Sequence, residues 1–158
     1  MQVGAGCNSA IFPSPPAIGC IIVRMEANIS YLDGVRFEAE SRGHRVICDQ
    51  PASISGADTG MAPPEFLLVS LGTCAGFYAL QYLKTRNLPA EGLAVRVIAE
   101  KATQPVRIGS FRIEVTAPGL EARHHEGILR AVKLCLVHNT LLHPPAIETV
   151  LKTETGAA

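Results

Sequence analysis

Apolar and polar positions along the chain fall into stretches of two periods, and the longest stretch has no polar face. From Pro64 to Leu83 the sequence reads PEFLLVSLGTCAGFYALQYL, with Glu65 as its only charged residue and Cys74 near its middle. Apolar side chains there fall at every angle around a helical axis, which predicts a buried helix that needs cover on all sides. Pro64 suits the first turn, where its missing N–H costs nothing, and Glu65 sits at the positive end of the helix dipole. Lys84 and Arg86 sit at the negative end. The run reaches the lower length limit for crossing a bilayer. Ser70, Gly72, Thr73, Gly76 and Gln81 dilute it, however, and the flanking sequence has the patterning of a globular domain, so we expect a core helix and no membrane partner.

On either side of this helix the period changes to two. Ala27, Ile29 and Tyr31 share one face, Asp33-Gly34 interrupts, and Val35, Phe37 and Ala39 then alternate with Arg36, Glu38 and Glu40. This predicts a hairpin with a DG turn. A third strand, His44 to Asp49, follows Arg42-Gly43, and residues 51–63 form a Gly- and Ser-rich loop of a length that is often functional. Asn87-Leu88-Pro89 stops the helix. Leu93, Val95, Val97 and Ala99 then alternate with Ala94, Arg96, Ile98 and Glu100, and Phe111, Ile113 and Val115 with Arg112 and Glu114, predicting a second strand pair that ends at Pro118-Gly119. Ile128, Ala131, Val132 and Cys135 form one stripe of a second helix from about Glu121 to Asn139. Pro144-Pro145 leads into a short final strand, Ile147 to Leu151. Three strands, helix, two strands, helix, strand make an α+β domain with a mainly antiparallel sheet. One such sheet and one further helix do not cover a helix that is apolar all round. A homodimer in which two such helices share a core would.

Composition narrows the partners. With 158 residues the chain is long enough for one self-sufficient domain, placed at 25–158. Residues 1–24 are rich in Pro, Gly and small residues, show no amphipathic period and read as an appendage, with Met25 as an alternative start. The AIGC at 17–20 has no charged or apolar segment before it of the kind a lipoprotein signal requires. Lys plus Arg and Asp plus Glu number 14 each, which removes any electrostatic reason to expect nucleic acid or an anionic membrane. Small substrates and protein partners remain. Five cysteines, an odd number without CxxC pairs, argue against a disulfide framework and a structural metal, and for a reducing cytoplasm.

Cys74 and Cys135 each fall on an expected helix. Cysteine is among the most buried residue types, so both also read as small apolar core residues. A reactive thiolate needs a neighbouring cation or donor, because burial alone raises a thiol pKa. Arg36, Arg42 and Arg45 are the candidates. Glu65 either orients such an arginine through a bidentate contact or simply stabilises the helix start. It lies about two and a half turns from Cys74, on the opposite face, so any link between them runs through a third group. His124, His125 and Glu126 lack the i, i+4 spacing of a metal box. His138 and His143 flank Asn139-Thr140 just beyond Cys135, as candidates for lining a site or for capping.

PPEFLLVSLGTC on the central helix, SRGHRVICD before the Gly-rich loop and CLVHNT on the second helix together resemble the OsmC/Ohr family, over about Glu26 to Leu151. The resemblance implies a homodimer with interleaved sheets and the central helices paired inside. It implies thiol-dependent reduction of organic hydroperoxides, with Cys74 as the peroxidatic cysteine and Cys135 as the resolving one. Glu65 corresponds to the glutamate that holds the family's activating arginine, for which Arg36 is the best match. No cofactor is implied, and the reductant would be a dithiol such as a lipoylated protein. Thr73-Cys74-Ala75 departs from the Ala-Cys-Phe of the peroxidase branches, and Gly43-His44 with LGTC is more similar to the OsmC-like branch. Two other functions fit the sequence: a binding protein with an apolar cleft around Phe77, Tyr78 and Leu83, and a redox sensor that signals the state of Cys74.

Overall fold

The structure, a computed structural model, describes residues 24–153. The proposed appendage therefore lies almost wholly outside the described residues. The elements are β1 (Asn28–Asp33), β2 (Arg36–Ser41), β3 (His44–Cys48), a 3-10 turn (Ala52–Ile54), α1 (Pro63–Lys84), β4 (Ala94–Thr103), β5 (Val106–Thr116), a second 3-10 turn (Ala122–His124), α2 (His125–Lys133) and α3 (Leu136–Leu142). The fold is α+β and its strand pairing antiparallel. The strands divide, however, into two sheets, β1-β2-β3 and β4-β5, where the sequence reading expects one.

In the first sheet the chain reverses at Gly34-Val35, one residue later than the DG turn predicts, with Asp33 opposite Arg36. A register shift between Tyr31 and Asp33 absorbs the difference and keeps Tyr31 opposite Phe37, where the rings meet edge to face at 5.8 Å. Gly34 takes a φ of 50°, a conformation that suits glycine. Ile29, Tyr31 and Phe37 remain exposed in the single chain.

β3 stops at Cys48, one residue before its expected end, because Asp49 turns inward and is fully buried. Its carboxylate accepts the N–H groups of Gln50 (2.7 Å), Ala57 (3.2 Å) and Thr59 (2.9 Å) and the Thr59 hydroxyl (2.7 Å). Donors aimed at a carboxylate favour its charged form. Led by the Thr59 backbone N–H and then its hydroxyl, they hold Asp49 at a pKa of about 2. This one side chain ties down the loop that leads into α1. The loop is so close to itself that a Cβ on Gly56 would lie 1.7 Å from the Gln50 carbonyl oxygen.

α1 begins with Pro63 and Pro64, and the Glu65 carboxylate reaches back to accept the Ala62 N–H at 2.7 Å. Leu71, Ala75, Ala79, Tyr82 and Leu83 form its buried stripe, packed against β4, β5, α2 and α3. Ala75 and Ala79 allow close approach of Ile128 and Val132 of α2, the centre of the core. The expectation of cover on every side is not met within one chain, since Val69 is exposed and Phe77 is 55% exposed. α1 is long and apolar enough to cross a membrane, but its buried stripe packs as that of a core helix does.

The single helix expected from Glu121 to Asn139 is two, α2 and α3, broken at Leu134-Cys135. Cys135 takes an extended conformation (φ −55°, ψ 130°) and caps α3, its sulfur accepting the His138 N–H at 3.5 Å. The expected final strand is absent. Among the described residues no strand pairs with 147–151, and Ile147 and Leu151 are 90% and 87% exposed. A strand needs an edge to bond to, and the described residues bring none to that segment.

Candidate active site

Cys74, half-buried in the middle of α1, and Cys135, fully buried at the α2–α3 break, are neighbours, close enough for the Cys74 thiol to act on the titration of Cys135. Ala75 and Ala79, which follow Cys74, and Ile128 and Val132, which precede Cys135, share one buried cluster that holds the two segments together. Burial pushes the Cys135 thiol above its ordinary value of 9.0, and the contact with Cys74 adds to the shift. The N–H groups of His138 and Val137 oppose it in part. In the pair, therefore, Cys135 is held as the protonated thiol. Thr73, which precedes Cys74, spends its hydroxyl on the Val69 carbonyl at 2.7 Å and supplies no donor to the sulfur.

The other two candidates stand elsewhere in the single chain. The Arg36 guanidinium grips Asp33 fork to fork, Nε to Oδ1 at 2.7 Å and Nη2 to Oδ2. This contact raises the Arg36 pKa and lowers that of Asp33. Glu65 is exposed at the start of α1 and holds the Ala62 N–H. The structure thus brings Cys74 and Cys135 together, and pairs Arg36 and Glu65 with groups other than each other. Of the alternative arginines, Arg45 pairs with Glu40 at 3.0 Å and Glu38 at 3.7 Å, and Arg42 occupies a turn at φ 53°.

An apolar groove of about 660 Å³ runs between α1 and β4, walled by Leu68, Val69, Gly72, Phe77, Leu80 and Val95 among others. Gly72 allows the close approach, as a Cβ there would lie 3.0 Å from Val97. Of the three residues expected around a cleft, Phe77 lines the groove and Tyr78 stacks edge-on against it at 5.7 Å. Leu83, by contrast, is buried in the core. The thiol pair is not part of the groove wall. Among the described residues no group of three His, Cys, Asp or Glu side chains is placed to hold a metal.

The sequence reading did not single out Asp49. The available signal was an aspartate directly after a strand and before a Gly- and Ser-rich loop, the setting in which a carboxylate gathers backbone N–H groups.

A small α+β domain with a dithiol between its central helix and a helix break is the class this geometry defines. The family model described as OsmC-like protein matches residues 56–150, and the chain belongs to that family. Solved structures agree in fold. An OsmC-like protein from Mycoplasma pneumoniae is 20% identical with a TM-score of 0.65, over 77% of this chain and 89% of that one. An organic hydroperoxide resistance protein OsmC from Legionella pneumophila is 13% identical with a TM-score of 0.58, over 77% and 90%. An organic hydroperoxide resistance protein from Elizabethkingia anophelis is 18% identical with a TM-score of 0.55, over 76% and 89%. The sequence matches none of the curated proteins compared with it.

Proposed function

We propose that the protein is a thiol-dependent peroxidase that reduces organic hydroperoxides. The observation that carries this reading is the adjacency of Cys74 and Cys135, two thiols distant in sequence of which the buried one is pushed toward its protonated form. Cys74 as thiolate attacks the distal peroxide oxygen, the O–O bond breaks, and the alkoxide leaves as the alcohol after taking up a proton. Cys74 is left as a sulfenic acid, which Cys135 attacks to form a disulfide with loss of water. A dithiol, such as the lipoyl group of a lipoylated protein in the cytoplasm, restores both thiols by exchange. Arg36 activates Cys74 in this scheme by exchanging Asp33 for the thiolate, and Glu65 orients the freed guanidinium.

The working form is a homodimer. Its support is the uncovered face of α1, the groove beside it and the open apolar face of the first sheet, all of which a second copy would cover. The test of activity is hydroperoxide consumption with a small dithiol as reductant, which this reading ties to Cys74.

A second reading is favoured by the groove itself: a protein that binds a small hydrophobic molecule between α1 and β4, with no role for the thiols. Ligand uptake that Cys74→Ser leaves unchanged, together with no consumption of hydroperoxide, supports it over the first.

A further inference from the structure

Closing the disulfide requires Cys135 to lose a proton, and the chain must supply an acceptor. The two N–H groups at the Cys135 sulfur, from Val137 and His138, are donors and take no proton. Three other histidines of this half of the chain are engaged through ring nitrogens. His124 meets the Tyr82 hydroxyl at 3.1 Å, His125 the Leu120 carbonyl at 3.1 Å, and His143 the Asn139 carbonyl at 3.2 Å. His138 differs. Its Nδ1 is buried and, among the described residues, has no hydrogen-bond partner. A buried polar atom left unpaired is costly, and in a native structure it calls for an explanation.

Position supplies one. Cys135 caps α3 and His138 is the third helical residue, whose backbone N–H lies 3.5 Å from the Cys135 sulfur and so anchors the imidazole beside the cap. We propose that His138 Nδ1 is the proton acceptor for Cys135 in disulfide formation. The assignment rests on the peroxidase reading for its setting. As the Cys135 sulfur bonds to the Cys74 sulfur, its proton passes to Nδ1 through one bridging water, since the two atoms are not themselves hydrogen-bonded, and the S–O bond of the sulfenic acid breaks. The departing hydroxide takes that proton back from the imidazolium and leaves as water. The raised Cys135 pKa makes such a base useful, since little thiolate is present without one.

The step can be measured without any hydroperoxide. Methyl methanethiosulfonate caps the more accessible Cys74 as a methyl disulfide, and attack by Cys135 then closes the Cys74–Cys135 bond and expels methanethiol. Mass spectrometry follows that loss in the full chain and in His138→Gln and His138→Asn, with folding checked by circular dichroism. We expect both variants to close roughly a hundredfold more slowly at neutral pH. The deficit should shrink as pH rises, because hydroxide then ionises Cys135 directly, a recovery that a misfolded site would not show. Closure at the native rate in either folded variant, or a deficit that does not change with pH, overturns the assignment. A native protein that closes the disulfide in a His138-dependent way yet consumes no hydroperoxide retains the role of His138 and refutes the peroxidase reading.

Discussion

Replacing Gly127 by alanine sets two effects of opposite sign against each other. Gly127 lies in α2, where alanine is the better helix former by about 1 kcal/mol. Against this, the added Cβ would lie 2.2 Å from Tyr82 Oη, 2.6 Å from Cζ and 2.7 Å from Cε2. The ring cannot yield cheaply, being only 9% exposed, bonded to His124 at 3.1 Å and capped by the Arg86 guanidinium at 3.9 Å from its centroid. Overpacking of this kind costs about 1 to 3 kcal/mol. Losing the Tyr82–His124 hydrogen bond costs about 1 kcal/mol more. The clash wins, and Gly127→Ala should lower stability by about 1 to 3 kcal/mol. The assay is urea unfolding at one fixed protein concentration, with a lower midpoint and an unchanged slope expected. Tyr82→Leu should relieve part of the cost in the double variant, as coupling between the two sites. If Gly127→Ala is as stable as the unmodified protein or more so, the packing of α2 on Tyr82 is not as described.

Asp49 has a pKa of about 2 against an ordinary 3.8, so its contribution to stability is full above the ordinary value and is lost as pH falls toward 2. Melting curves should show an acid loss between about pH 4 and pH 2 that Asp49→Asn lacks. If Arg36 exchanges Asp33 for the Cys74 thiolate as proposed, Arg36→Ala should slow alkylation of Cys74 at neutral pH by about ten- to hundredfold. Asp33→Asn, which frees Arg36, should speed it by about two- to fivefold, the scale of an exposed ion pair. Phe77→Asp places a charge on the open face of α1 and should turn a dimer into a monomer by sedimentation. A native protein that is already monomeric at micromolar concentration would contradict the dimer.

What the sequence disclosed follows from how local each feature is. The α1 limits were legible because Pro64 and Glu65 mark the start and Lys84 the end, and β4 and β5 because Val95, Val97 and Ala99 and then Phe111, Ile113 and Val115 recur at every second position. The α2–α3 break was not. No Gly or Pro stands at 134 or 135, and the stop comes from the Cys135 thiol capping the next helix. Asp49 escaped notice because its donors come from residues up to ten positions away, brought back by a loop that the same carboxylate folds. The 147–151 segment has a strand's composition without an edge to pair with, and composition cannot report the missing partner. The thiol pair was reached through resemblance to a family, because spacing alone could not tell that two cysteines sixty-one residues apart become neighbours.

Stopped-flow mixing with an organic hydroperoxide, on the unmodified protein, Cys74→Ser and Cys135→Ser, tests the central claim most directly. If Cys74 attacks and Cys135 resolves, Cys74→Ser performs no first turnover, whereas Cys135→Ser performs one and stops with a sulfenic acid that a dimedone-type probe traps. Hydroperoxide consumption by Cys74→Ser at the rate of the unmodified protein would contradict the account.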